Sequence, residues 1–426
     1  MAQIFAIFAL LLVLIFIGFP IYIALITTTA TFMLIMDLPL NLVVIKMFGS
    51  VNSFSLMAIP FFIVAGNIMN KADITDKIVS LSDALVGQFK GGLGHVNILA
   101  SMFFGGIQGS GIADASAIGG MLIPAMEKQG YDTDYAVAVT AGSSMLSPII
   151  PPSIAMILYS FYTEIPVSKL FLGGIIPGLA IAAIQMGVNR WEYGRRKYDI
   201  PTHKFSMKVL LFSLKESIGA LLMPLIIIVG IVSGIVTATE AGVLAIAYGL
   251  LYGFVFTKKL KISDLPEILI KSAITTAVVM VTISAAGALS NVLVRMRFQN
   301  SVASFVVNTI GNKYLGTLFL MMIIVILGMF LDPTVLIAML STTILTIGTQ
   351  FGFDPVFYGV ILVILMQVGA ITPPVGSFLF VSCGVAKLPI DKVVKPLIPY
   401  ILSVVVIVII SFFIPELITF LPNLIS

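Results

Sequence analysis

The chain has 426 residues, 59% of them hydrophobic and 10% charged, with a net charge of +4. A soluble fold of this length could not hide so much apolar surface, so lipid must be the solvent for most of it. The single cysteine, Cys383, excludes an internal disulfide and a cysteine metal cluster, the two histidines, His95 and His203, have no second ligand at metal spacing, and no basic and aromatic surface stretch points to nucleic acid.

The first 36 residues are apolar but lack a basic start and a small-residue cleavage site. They are expected to be a retained membrane helix, 2–36, long enough to tilt strongly or bend at Pro20, and not a signal peptide. An amphipathic piece, 39–50, leads into a span over 53–70, and a second such piece covers 73–88. The stretch 95–127 is apolar but interrupted by the run FGGIQGSGIAD, which predicts a re-entrant hairpin. Non-helical backbone at membrane depth survives only inside protein or beside a wet cavity. Spans follow over 131–163, 168–190, 219–237, 240–257 and 275–293, with amphipathic pieces at 205–216 and 262–271. A second interrupted stretch, 313–349, precedes the last two spans, 354–385 and 396–422.

One pattern occurs twice. Gly130-Tyr131-Asp132 leads to Pro151-Pro152, and 222 residues later Gly352-Phe353-Asp354 leads to Pro373-Pro374 with no gap. A glycine-containing apolar turn precedes each copy. Helices broken at matching positions of two halves point to a secondary transporter with its binding site near the midplane. Basic residues in short loops mark the cytoplasm. The segments 190–208, 258–271 and 385–395 are rich in Lys and Arg, whereas their partners 222 residues away are poor in them. Matched elements therefore face opposite sides, which is an inverted repeat with the N-terminus inside and the C-terminus outside. The expected fold class is an all-α polytopic membrane protein with two re-entrant hairpins and two broken helices. The stretch 295–313 breaks the charge rule: it should lie outside, yet it carries Arg295, Arg297 and Lys313. Arg295 and Arg297 are either interfacial anchors or recognise a substrate carboxylate, which arginine grips through two parallel hydrogen bonds. With Ser153 they are the candidates for substrate.

Each proline lacks an amide hydrogen, so it leaves the carbonyl four residues earlier without a helical partner. Those carbonyls belong to Ser147, Pro148, Gly369 and Ala370. Unpaired in hydrocarbon, each would cost several kcal/mol, and a bound cation would satisfy them. Hard oxygen ligands suit sodium and disfavour a transition metal. The candidate sodium ligands are Ser110, Gly111, Asp114, Ser116, Ser147, Pro148 and Ser153 in the first half, and Asp332, Thr334, Gly369 and Thr372 in the second. Asp114 and Asp332 are the only acids in the hairpin cores. Asp114 could instead cap the helix ASAIGGML, and Asp332 could start an Asp-Pro turn. The helix arms that begin after each break point their positive ends at the same depth, which favours an anionic substrate. Neither an intramembrane protease motif nor a metalloprotease motif is present, so an enzyme is not expected.

The runs GIQGSGIADASAIG, GYDTDYAVAVTAGSSMLSPIIPPS, GAITPPVG and SLMAIPFFIVAGNIM resemble the large membrane subunit of tripartite ATP-independent periplasmic (TRAP) transporters, over essentially the whole chain. The resemblance implies an elevator mechanism in the bacterial inner membrane, driven by at least two sodium ions. It implies two partners besides lipid: a small four-helix membrane subunit, as a separate chain, and a periplasmic binding protein. Substrates would be organic acids such as C4-dicarboxylates, sialic acid and sugar acids. Family sodium sites match Ser110, Asp114, Ser153, Asp332 and Thr334. On this plan 1–70 is scaffold, 71–163 and 272–385 are the two halves of the transport domain, 164–271 is scaffold with the basic loop, and 386–426 is a C-terminal scaffold helix. The alternative is another ion-coupled elevator, using sodium or protons, that works without a binding protein.

Overall fold

The computed structural model describes residues 2–202 and 204–424; His203 lies outside them. Every regular element among the described residues is helical. Helices α1 (Ala2–Phe16) and α2 (Ile21–Ile35) replace the single span expected over 2–36, with Pro20 at the start of the second. Helices α3 (Asn41–Val51) and α4 (Ala58–Lys71) meet at 70°. After α5 (Ile74–Val86) comes a helix–turn–helix pair, α6 (Gly92–Gln108) and α7 (Gly111–Lys128). A broken helix, α8 (Thr133–Ser144) and α9 (Ile154–Thr163), leads to α10 (Val167–Arg195). The second half runs α11 (Met207–Val232), α12 (Ala238–Leu251), α13 (Leu265–Arg295) and the short α14 (Phe298–Ser304). A second pair, α15 (Lys313–Gly328) and α16 (Pro333–Gln350), precedes a second broken helix, α17 (Pro355–Ile371) and α18 (Ser377–Ala386). The chain closes with α19 (Ile390–Phe413) and α20 (Glu416–Leu424), so the expected span 396–422 is also split.

The halves differ at one place. The pieces expected at 205–216 and 262–271 are not separate: each is the first part of a long helix, α11 or α13. Lys215 and Glu216 mark a change of surroundings, but no residue there breaks the backbone. In the first half Asn52, at ψ 71°, ends α3 and bends the chain. The residue 222 positions later is Ile274, inside unbroken α13. Among the described residues six helices are long and apolar enough to cross a membrane, and the bent pair of α3 and α4 would make seven.

The packing sets two groups of helices side by side, joined where α13 lies on α16 and α5 on α6. Helix α13 lies on α2, α3 and α4, α12 lies on α4, and α5 lies on α11. The helix pairs and broken helices form the other group, in which they exchange partners. Helix α7 packs on α18, and α16 packs on α9. Helix α19 packs on α8, and α10 on α6, α17 and α20. The boundaries 164–271 and 386–426 drawn from the sequence put α10 and α19 with the scaffold; their contacts put both mainly with the pairs and broken helices.

One end of this second group is tied by charge. The Arg196 guanidinium donates to both carboxylate oxygens of Asp134 at 2.8 Å and to Asp132 at 2.7 Å. The Tyr198 hydroxyl donates to Asp132 at 2.7 Å. Asn189 accepts from Tyr135 and donates to the Gly91 carbonyl, so the end of α10 holds both α8 and the start of α6. The Tyr198 hydrogen bond, with Arg196 behind it, holds the Asp132 carboxyl below the usual carboxylate range. Arg196→Ala is expected to cost about 2 kcal/mol, since bonds to charged groups are the strong ones. A carboxyl held low adds stability above its unfolded pKa, and that stability is lost as pH falls through its folded pKa. The melting temperature of the wild type should therefore exceed that of Asp132→Asn at pH 7, and the gap should close on acidification below pH 4. A gap independent of pH would assign the effect to shape alone.

Candidate ion and substrate site

In each half the tip of the helix pair is bonded to the break of the following helix. The Ile154 amide donates to the Gly109 carbonyl at 3.3 Å, and the Val375 and Gly376 amides donate to Met329 at 3.3 and 3.1 Å. Close approach needs the small residues. A Cβ on Gly105 would stand 2.6 Å from the Ser147 Cα, and one on Gly328 would stand 2.9 Å from the Gly369 Cα. Gly109, at φ +61°, carries its Cα where any side chain would overlap the Pro152 carbonyl oxygen. Carbonyls of the first break thus crowd over a glycine face. The Pro151–Pro152 and Pro373–Pro374 bonds are both cis.

Two of the four carbonyls freed by the prolines have found donors within the protein. The Ser153 hydroxyl donates to the Pro148 carbonyl at 2.5 Å, and the Thr372 amide donates to Gly369 at 3.0 Å. Ser147 and Ala370 keep carbonyls with no hydrogen bond among the described residues. The Ser147 hydroxyl is also buried and unpartnered. Ser153 is also the N-cap of α9, accepting from Met156 at 3.1 Å, which leaves its hydroxyl one lone pair. The Thr372 hydroxyl donates to Val368 and keeps both lone pairs.

The two aspartates separate. Asp332 caps α16: its Oδ1 accepts from the Thr334 amide at 2.9 Å and the Thr334 hydroxyl at 2.7 Å. Asp114 caps nothing, because Ser110 is the N-cap of α7 and accepts from Ala113. The Asp114 side chain is 0% exposed, and neither carboxylate oxygen has a hydrogen-bond partner. Gly111 packs under the Phe378 ring of α18. Ser116 is exposed and does not join the site: two residues past Asp114 on a helix, it points to the opposite side. Arg295 and Arg297 are exposed at the end of α13; Arg295 donates to Asn291 at 3.2 Å, and neither forms an ion pair or hydrogen bond with Ser153.

Asp114 ends a polar chain that the motif reading missed. Asn97 donates to Thr140 at 2.7 Å, Ser143 donates to Asn97 at 3.0 Å, and Ser101 donates to Ser143 at 3.1 Å. All four are completely buried, and Ser101 lies beside the Asp114 carboxylate. The Ser101 hydroxyl has one proton for two acceptors, Ser143 and the Asp114 carboxylate. A buried carboxylate with so little support is costly as a charge, and either a proton or a cation relieves that cost. The 222-residue shift turns the whole chain apolar: the counterparts are Phe319, Ile323, Leu362, Leu365 and, for Asp114, Leu336. That contrast was visible in the sequence, as was the helical spacing of residues 97 and 101 and of 140 and 143.

The family model of the DctM component of tripartite ATP-independent periplasmic transporters matches residues 8–417. The chain belongs to the TRAP transporter large permeases. It is 35% identical to a putative TRAP transporter large permease protein of Haemophilus influenzae, over 95% of each chain. It is 35% identical to the 2,3-diketo-L-gulonate TRAP transporter large permease of Escherichia coli, over 94% of this chain and 95% of that one. The sialic acid TRAP transporter permease of Haemophilus influenzae is longer: the match, again 35%, covers 97% of this chain and 67% of that one. Family and helix lengths together make this permease a multi-pass membrane protein. Among the described residues no cluster of three His, Cys, Asp or Glu side chains could hold a metal.

Proposed function

We propose that this permease carries out sodium-coupled uptake of an organic acid delivered by a periplasmic binding protein. The carrying observation is Asp114: a fully buried carboxylate whose one neighbouring donor, Ser101, is shared with Ser143, on the same helix pair whose tip meets the unpaired Ser147 carbonyl. Sodium at this place would supply the missing positive charge and use oxygen ligands only. Asp332, already a helix cap, keeps Oδ2 free of hydrogen bonds among the described residues, and with the Ala370 carbonyl it offers a second, weaker ion site. The relatives named for sialic acid and 2,3-diketo-L-gulonate support an acidic sugar-like substrate. A carboxylate would be favoured at the amide ends of α9 and α18. The helix pairs, broken helices, α10 and α19 would move as one body against α1–α4 and α11–α13, in the manner of an elevator. The N-terminus would be cytoplasmic, the C-terminus periplasmic, the membrane the bacterial inner one, and a small four-helix subunit the membrane partner.

The energetics allow it. A monoanion entering a negative-inside cell works against about 2.3 kcal/mol per 100 mV. Each sodium entering at that potential with a tenfold gradient releases about 3.7 kcal/mol. Two ions therefore exceed the requirement about threefold and permit accumulation.

The test uses proteoliposomes holding the permease and its small subunit, with binding protein and radiolabelled acid outside. Uptake should need an inward sodium gradient and substrate-loaded binding protein. Equal uptake in potassium or choline buffer would reject sodium coupling, and equal uptake without binding protein would favour the simpler elevator.

A further inference from the structure

A cavity of about 560 Å³ lies between the α5–α6 connection and the end of α10, away from both breaks. That volume is in the range of small-ligand sites. Its charged residues are Lys90 and Arg190, and no carboxylate lines it. Neither cation forms an ion pair among the described residues. His95, 6% exposed, also lines the cavity, with the edge of the Phe89 ring against it. The remaining wall is apolar and includes Phe89 and Met186. Gln88 donates to the Leu85 carbonyl, which leaves its Oε1 buried and without a partner. The walls are already fixed together, since Asn189 donates to the Gly91 carbonyl at 3.0 Å.

We propose that this cavity binds a phosphate group that carries a hydroxyl on one side and apolar carbon on the other, the chemistry of a phosphatidylglycerol headgroup. Lys90 and Arg190 take the phosphate, for which both cations are suited. Gln88 Oε1 is an acceptor in need of a donor, and the headgroup hydroxyl is one. Phe89, 54% exposed, and Met186 cover the glycerol and first acyl carbons. The site stands apart from ion and substrate chemistry and does not rest on sodium coupling. It lies where α5, which packs on both α11 and α6, passes into α6, so occupancy would steady that joint.

The chain carries its own reporter: Trp191 is the only tryptophan and follows Arg190. In phosphatidylcholine vesicles holding the full chain, brominated phosphatidylglycerol should quench Trp191 at a lower mole fraction than brominated phosphatidylcholine. The preference should fall roughly fivefold for each of K90Q and R190Q, the effect of about 1 kcal/mol per basic residue. The variant K258Q/K261Q removes two charges from another basic loop and should keep the preference. Melting temperatures confirm that each variant is folded. Should inorganic phosphate shift Trp191 emission in the wild type but not in K90Q/R190Q, with both lipids quenching alike, the phosphate site stands and its source is soluble. Equal quenching by both lipids with no response to phosphate would overturn the proposal. So would loss of preference in K258Q/K261Q, which would reduce it to general surface charge.

Discussion

Asp114→Asn is expected to abolish sodium-driven uptake and to remove the sodium dependence of thermal stability. The substitution keeps the shape of the side chain and removes its charge. In the wild type both carboxylate oxygens are buried, and the one donor beside them, the Ser101 hydroxyl, is shared with Ser143. Removing one partner of a buried charge pair costs about 3 kcal/mol or more, which is roughly a hundredfold in sodium affinity. Two measurements separate ion binding from folding. In sodium-free buffer the variant should melt at or above the wild-type temperature, because a buried charge without a partner has been removed. On adding sodium, the wild type should be stabilised by about 2.7 kcal/mol at a hundred times its dissociation constant, while the variant gains much less. An unchanged sodium titration of the melting temperature in the variant would remove Asp114 from the ion site.

Gly109→Ala should stop transport for a different reason. The residue sits at φ +61°, and its missing side chain leaves room for the Pro152 carbonyl oxygen. The left-handed conformation alone costs an ordinary residue about 1–2 kcal/mol. The overlap adds to this, because the opposing atom is backbone and cannot swing away. The tip of the first helix pair must lift off the break, which parts Gly109 from the Ile154 amide and moves α7 relative to Ser147. Gly130→Ala is the matched control: φ is +94° there, but nothing lies within 4 Å. The control should lose about 1 kcal/mol and keep its uptake. If both variants melt and transport alike, the contact between tip and break is not required.

The residue pattern showed some of this directly. The 222-residue repeat placed both helix pairs and both breaks, because glycine, proline and capping residues act on the backbone locally. Ser110 and Asp332 occupy the same N-cap position of α7 and α16, and Asp132 and Asp354 that of α8 and α17. The gap drawn between 39–50 and 53–70 holds Asn52, where the structure bends the first half, while its counterpart Ile274 leaves the second straight. What hydropathy misjudged were the pieces 205–216 and 262–271, since charged residues at a helix end change its surroundings without breaking it. The candidate ligands were legible as residue types but not as free valences. Ser153, Thr334 and Thr372 are oxygen ligands in sequence; only the fold shows that their protons go to Pro148, Asp332 and Val368, which decides where their lone pairs face.

Composition and the doubled proline pattern were enough to make this chain a membrane protein of two related halves, because solvent preference and backbone breaks are properties of short segments. The tertiary structure alone decided that α7 packs on α18 and α16 on α9, so that each half completes the other. It alone distinguished Asp114 from Asp332. A cap and a buried charge differ only in which donors come within reach: Thr334 supplies two to Asp332 from its own helix, whereas the polar side chains of α6 and α8 beside Asp114 bond mainly to one another.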